Sequence, residues 1–288
     1  MAAISKLSIQ RGIFLIFNNI ILILLALTMV IPLINVVAVS FCTDLESYEN
    51  VIKLFPRSPS MEGYVALFQR VAILRPFLNN VFVTVIGTFL HVLLCAMAGY
   101  ALVREKFLGK VLLVIFVTIP MMVPFEMIII PIFVTVKRLG LMDTLWAIII
   151  IGIVSTFSIL LMRNYFEGIP KSLEESAFID GAGEFTIFFR IYLPLARAGL
   201  ATITIFQFVY KWNHLLPAVL FLNSAEKYTL QIALKSLVIT QELTGTTLSV
   251  ANNTRMGGIV IAIIPLIIVY IFAQKYFIKG IMIGAIKE

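Results

Sequence analysis

Arg163-Asn-Tyr-Phe-Glu-Gly-Ile-Pro170-Lys-Ser-Leu-Glu-Glu175-Ser-Ala-Phe-Ile-Asp180-Gly-Ala-Gly-Glu-Phe185 interrupts a chain that is otherwise largely apolar. Its register predicts a short helix, a turn and a second helix. Pro170 and Ser172 supply a helix start, and Glu174 and Glu175 suit the positive end of the helix dipole. Gly181 offers a C-terminal stop, and Gly183 a second flexible point. The second helix is expected over Glu184 to Tyr192, ending before Pro194. Ala177 and Gly181 are small residues four apart, a face that another backbone could approach closely.

Outside this stretch the composition leaves few classes open. Of 288 residues, 61% are hydrophobic and 13% charged, against about 45–50% and about 25% in soluble domains. Mean hydropathy is +1.05. Disorder needs the reverse composition, and a water-soluble domain would expose too much apolar surface. The net charge of +7 is scattered in short clusters between apolar runs. It fits loops beside anionic lipid rather than nucleic acid. Cys42 and Cys95 have no metal or redox spacing and read as free, packed thiols.

A membrane-spanning helix needs about 20 mostly apolar residues. Six segments qualify: Gly12–Phe41, Phe77–Val103, Val111–Val136, Thr144–Met162, Ala198–Leu222 and Met256–Ala273. The fold class is therefore all-α, a polytopic membrane protein with six transmembrane helices. Six spans put both termini on one side. Arg104, Lys106 and Lys110 in one tight turn, with Lys275, Lys279 and Lys287 in the tail, favour the cytoplasm for that side. Loop 163–197 is then the longest cytoplasmic element, suited to contact a soluble partner. Loops 41–76 and 223–255 lie outside, and Tyr228–Gln241 reads as an interfacial amphipathic helix.

Glu175-Ser176-Ala177, Asp180-Gly181-Ala182 and Ile191-Tyr192-Leu193-Pro194-Leu195 resemble the EAA loop of binding-protein-dependent ABC importer permeases. The match is to the carbohydrate branch, similar to the second permease of maltose-type importers. Phe77-Leu78-Asn79-Asn80, Gly99-Tyr100-Ala101, Arg104-Glu105-Lys106-Phe107, Gly140-Leu141-Met142-Asp143-Thr144, Trp212-Asn213 and the tail Gly280–Ala285 extend it. Ser176 stands where the family usually has Ala, and Ala198 where it often has Pro.

The resemblance implies a type I importer permease in the bacterial inner membrane. Residues 1–76 would form an N-terminal span and outer loop, and 77–288 the transmembrane core with the EAA loop at 163–197. It further implies a second homologous permease, two ATP-binding subunits and an extracytoplasmic solute-binding protein as partners. The ATPase-coupling residues would be Glu174, Glu175, Ser176, Ala177, Asp180, Gly181 and Ala182. Mg-ATP would be bound by the partner ATPases, and no cofactor by this chain. The substrate class would be a sugar or oligosaccharide. The basic residues Arg75, Lys137, Arg138 and Lys211 would suit an acidic one.

No catalytic apparatus is readable in the chain itself. Gly168-Ile169-Pro170-Lys171-Ser172 lacks the glycine spacing of a phosphate loop, and Pro170 removes a backbone donor. His91 and His214 are the only histidines, and no Cys/His/carboxylate set has zinc spacing. Charge inside an apolar span is costly and points to function. Glu126, flanked by Pro120, Pro124 and Pro131, is therefore a substrate-pathway candidate. So are Lys211, Trp212, Asn213, His214 and His91. Thr244, Gly245, Thr246, Asn252 and Asn253, in a small polar outer loop, are candidates for docking a binding protein. An ion-coupled secondary transporter is the alternative class. It would carry several paired intramembrane carboxylates and internal repeats, and only Glu126 fits that pattern.

Overall fold

The computed structural model describes residues 2–104, 108–244 and 250–285. Among these, every regular element is helical, apart from one β-bridge joining Cys42 to Pro59. The chain divides into two compact units, Met1–Ala72 with Ser236–Ile263, and Ile73–Lys235 with Ile264–Glu288.

The first unit holds α1 (Ala2–Ser40) and α2 (Glu62–Gln69). From Phe14 onward α1 is apolar on all sides, and the chain leaves Phe14, Phe17, Leu24 and Met29 exposed. A helix hydrophobic all round needs an apolar solvent. The segment between α1 and α2 is folded around Glu46. Its carboxylate accepts the amides of Arg57 at 2.8 Å and Ser58 at 3.2 Å. Those amide donors hold the Glu46 carboxyl below the usual range. Lys53 donates to the Glu46 carbonyl and pairs with Glu49 at 3.3 Å.

The second unit is built around α3 (Leu74–Val103), a 30-residue helix. It is followed by α4 (Lys110–Met122) and α5 (Phe125–Arg138), bent from each other by 104°. Next come α6 (Leu145–Ile150), α7 (Thr156–Glu167) and α8 (Lys171–Ile179). Then α9 (Glu184–Leu195) and α10 (Arg197–Asn213) meet at 81°, and α11 (Leu215–Phe221) follows. Helices α12 (Leu230–Thr244) and α13 (Asn252–Ala285) complete the chain. Two clusters pack on α3. One gathers Val83, Ile148, Ile149 and Phe221. The other gathers Tyr100, Met162, Phe166, Phe188 and Tyr192.

Helices α1, α3 and the Asn252–Gln274 part of α13 are each long and apolar enough to cross a membrane unbroken, and the two bent pairs would raise that to five. Three segments expected as single helices are interrupted. Val111–Val136 breaks at Val123–Pro124, where the proline ring and its missing N–H end the hydrogen-bond ladder. Thr144–Met162 breaks over residues 151–155. Gly152 there has φ +69°, and Ser155 Oγ accepts the Ser158 amide at 3.2 Å to start α7. Ala198–Leu222 breaks at His214, with Pro217 in the first turn of α11 where its absent donor is not needed. The outer helix expected at Tyr228–Gln241 runs over Leu230–Thr244. The helix expected to end before Pro194 continues to Leu195. A π-turn over Phe188–Tyr192 widens it there, which accommodates the proline.

Candidate functional site

Loop 163–197 forms a helix–turn–helix. Pro170, with ψ 127°, opens α8, and Glu174 stands in its first turn. The helix closes in a Schellman motif: the Gly181 amide donates to the Phe178 carbonyl at 3.0 Å, and the Ala182 amide to Ala177 at 2.9 Å. Gly181 takes φ +81°, a conformation that costs an L-residue about 1–2 kcal/mol. No atom stands within 4 Å of where its Cβ would be, so backbone conformation alone asks for glycine here. Gly183 is extended and opens α9.

The underside of this motif is fastened to the end of α3. Arg104, one residue past α3, forms ion pairs with both Glu174 and Glu184. Tyr192 OH donates to Glu174 Oε2 at 2.5 Å, and Tyr100 OH to Glu184 Oε2 at 2.8 Å. The guanidinium lies over the rings of Tyr100, at 5.7 Å, and Phe178, at 5.4 Å. Beneath it Tyr100 meets Tyr192 and Phe188 with ring centroids 4.8 and 5.2 Å apart. Ala177 and Ala182 pack against this cluster.

The two glutamates of α8 therefore differ in use. Glu174 turns inward, its side chain 15% exposed, whereas Glu175, Ser176, Asp180 and Gly181 are exposed. Beside them stand exposed apolar side chains, with Ile179 at 87% and Phe185 at 71%. A polar loop carrying a patch of bare apolar groups fits a protein partner. A cleft of about 440 Å³ adjoins it, lined by Arg104, Lys110, Lys171, Glu174, Glu175 and Tyr192 among others.

The polar residues expected along a pathway fall into distinct settings. His91 is fully buried in α3, with Nε2 at 2.8 Å from Ser158 Oγ. Lys211 is 1% exposed. Its ammonium donates to the carbonyls of Ile148, Ile149 and Ile151 at 2.7, 3.0 and 2.5 Å. Trp212 is buried, stacked on Phe208 at 5.8 Å and edge-on to Phe77 at 5.9 Å. Asn213 is exposed and bonds back to the Val209 carbonyl at 2.9 Å. His214 sits in the break between α10 and α11, its ring centroid 4.3 Å from Tyr210 and 6.0 Å from Phe125. Glu126 is exposed in the first turn of α5, just past the sharp bend. Glu126, Asn213 and His214 thus all lie at interruptions of apolar helices. Irregular backbone at membrane depth is tolerated where it faces protein or a water-filled cavity.

Of the outer-loop candidates, Asn252 and Asn253 serve the fold of the first unit. Their side-chain amides donate to the carbonyls of Ser47, at 2.7 Å, and Cys42, at 3.0 Å. Thr244 is the last residue of α12. Gly245 and Thr246 lie outside the described residues, as do Glu105, Lys106 and Phe107. Among the described residues no group of three or more His, Cys, Asp or Glu is placed to hold a metal ion.

The sequence places Tyr192 in the loop but does not reveal its bond to Glu174, the anchoring of the loop by Arg104 and Tyr100, or the knot that Asp143 ties at the opposite end of the unit. Asp143 accepts the amides of Asn223, at 2.9 Å, and Ser224, at 3.0 Å, together with Lys227 Nζ at 3.0 Å. The available signals were the motif matches around Arg104 and Asp143. Neither motif names its partner.

A family profile described as "Binding-protein-dependent transport system inner membrane component" matches residues 91–283. The polygalacturonan/rhamnogalacturonan transport system permease protein YtcP of Bacillus subtilis is 37% identical, covering 92% of this chain and 95% of that one. The arabinooligosaccharides transport system permease protein AraQ of Halalkalibacterium halodurans is 33% identical over 91% and 93%. A crystal structure of a bacterial ABC transporter involved in the import of the acidic polysaccharide alginate contains a similar chain. It superposes with a TM-score of 0.82 at 31% identity, covering 92% of this chain and 96% of that one.

Proposed function

The chain belongs to the family of binding-protein-dependent transport system inner membrane components, and on that premise we propose that it is one of two membrane subunits of an ATP-driven importer of acidic oligosaccharides. Loop 163–197 is the seat of the ATPase pair, which binds Mg-ATP and hydrolyses it. A solute-binding protein delivers the saccharide on the opposite face. The chain crosses the membrane six times, with α4–α5, α6–α7 and α10–α11 as the interrupted crossings, and both termini are cytoplasmic. Residues 1–76 act as an N-terminal anchor and outer loop, and 77–288 as the transport core.

The observation that carries this reading is the two-sided loop. Its outward face offers Glu175, Ser176, Asp180 and Gly181 beside bare Ile179 and Phe185. Its inward face is tied through Arg104 to α3. Movement of an ATPase against the outward face would pass through two ion pairs into a membrane helix and rock it as a rigid body. Glu126, Asn213 and His214 are the pathway candidates, because each lies where an apolar helix is interrupted. The acidic substrate is supported by the similarity to the alginate and polygalacturonan/rhamnogalacturonan systems.

The loop reading is tested with Gly181→Asp in the assembled importer. The Cβ has room and the φ strain is about 1–2 kcal/mol, so the subunit folds and assembles. Substrate-stimulated transport falls at least tenfold while the ATPase subunits keep their own basal hydrolysis. Transport at the wild-type rate would remove the coupling role.

A further inference from the structure

Lys211 is the least expected side chain in the second unit. It lies 14 residues into α10, in an apolar stretch, and is 1% exposed. Among the described residues none of the ion pairs includes it. A buried ammonium with no carboxylate partner demands another source of negative potential. That source is the end of α6. The helix stops at Ile150, and its terminal carbonyls carry the negative end of the helix dipole. Three carbonyls, of Ile148, Ile149 and Ile151, converge on Nζ at 2.5–3.0 Å. One turn earlier on α10, Gln207 Nε2 donates to the next carbonyl, that of Gly152, at 3.1 Å.

This is the donor set that a small monovalent cation finds in a broken membrane helix, where unwound carbonyls and a half-helix C-terminus replace its water. We propose that Lys211 is a tethered cation. Its ammonium fills a cation site at the break between α6 and α7, and with Gln207 it fixes that break as a permanent joint held by α10. The stem reaches the site across α3, where Gly87 leaves the passage open. A Cβ on Gly87 would lie 3.2 Å from Lys211 Cε and 3.4 Å from Cδ. Lys211 is thus a positioning residue. It sets the interrupted α6–α7 segment and leaves Asn213 and His214, two and three residues on, at their own break. It does not depend on which substrate the protein carries.

The test uses the full chain in lipid nanodiscs and reads thermal unfolding, so it is independent of transport. Lys211→Met keeps the volume and removes the charge; it should lower the midpoint by about 5–10 °C, since three carbonyls lose their donor. Lys211→Ala should fall as far and recover on adding methylammonium chloride, which supplies a small cation with three N–H donors. Tetramethylammonium chloride at the same ionic strength should not restore it. Gly87→Val should destabilise the wild type and be near neutral in the Lys211→Ala background; the single Gly87→Val variant also tests the passage should Lys211→Ala fail to fold. The proposal is overturned if Lys211→Met melts with the wild type, including the case in which it loses only transport. Equal recovery with both ions, or with neither, overturns it too, as does a Gly87→Val variant as stable as the wild type.

Discussion

Asp143 holds a left-handed backbone, φ 57°, which costs a non-glycine residue energy that its other bonds must offset. They are many. Oδ1 accepts two backbone amides, Oδ2 accepts Ser224 Oγ at 2.6 Å, and the Asp143 carbonyl takes Lys227 Nζ at 2.6 Å. The Asp143 amide itself donates to the Phe221 carbonyl at 2.7 Å. This one carboxylate joins the segment after α5 to the segment after α11. The Ser224 hydroxyl leads in holding its pKa far below the usual value, with the amides of Ser224 and Asn223 and the Lys227 ammonium adding to it. A depressed folded pKa gives stability that is full above the unfolded carboxyl value, about 3.9. That stability is lost as pH falls through the folded value. Asp143→Asn should therefore unfold at a lower temperature than the wild type at pH 7. The gap between the two should narrow as the pH is taken well below 4. A gap constant across that range would show that the carboxylate's charge contributes nothing.

At the scale of elements, the helix–turn–helix is held by a charged pin as well as by apolar packing. Arg104 touches α3, α8 and α9 together, through Tyr100, Glu174 and Glu184. Arg104→Gln leaves Glu174, largely buried, without its cation, and unpaired groups of this kind cost about 1–3 kcal/mol. The loss should be local. Limited proteolysis at loop 163–185 should accelerate severalfold while the midpoint of global unfolding moves little. Lysine should restore only part of the protection, because a point charge cannot fork between two carboxylates. Unchanged proteolysis in Arg104→Gln would mean that aromatic packing alone holds the loop. The loop's own helix, stop and turn were legible in the sequence, since Pro170, Glu174 and Gly181 act within a few residues of themselves. Arg104 was legible as a positive charge beside a span and as part of a family match, but not as the anchor of the loop, because its two partners lie 70 and 80 positions away. The break at residues 151–155 was hidden for a related reason. Its Ile-rich run has the composition of an unbroken helix, and what holds it open is Lys211, 60 positions on.

At the scale of the whole molecule, charge argues for the substrate. Four basic residues were candidates for meeting an acidic saccharide. Arg75 is engaged by Glu226 at 3.1 Å, and Lys211 is buried on carbonyls. Lys137 and Arg138 remain exposed in the last turn of α5, the helix that begins with Glu126. A uronate chain carries one carboxylate per residue and meets such a pair through charge-assisted contacts that a neutral sugar cannot make. Partner subunits and the binding protein add their own selection, so the informative measurement is the maximal rate in the assembled importer rather than an apparent affinity. Oligogalacturonates should stimulate ATP hydrolysis in the reconstituted complex, and neutral arabino-oligosaccharides of equal length should not. The double substitution Lys137→Gln with Arg138→Gln should lower the maximal stimulated rate severalfold and flatten its dependence on salt, since two exposed charges act over about a Debye length of 8 Å in physiological salt. Equal stimulation by the neutral chains would assign the importer to uncharged oligosaccharides. The dibasic turn would then serve only the dipole at the C-terminus of its own helix.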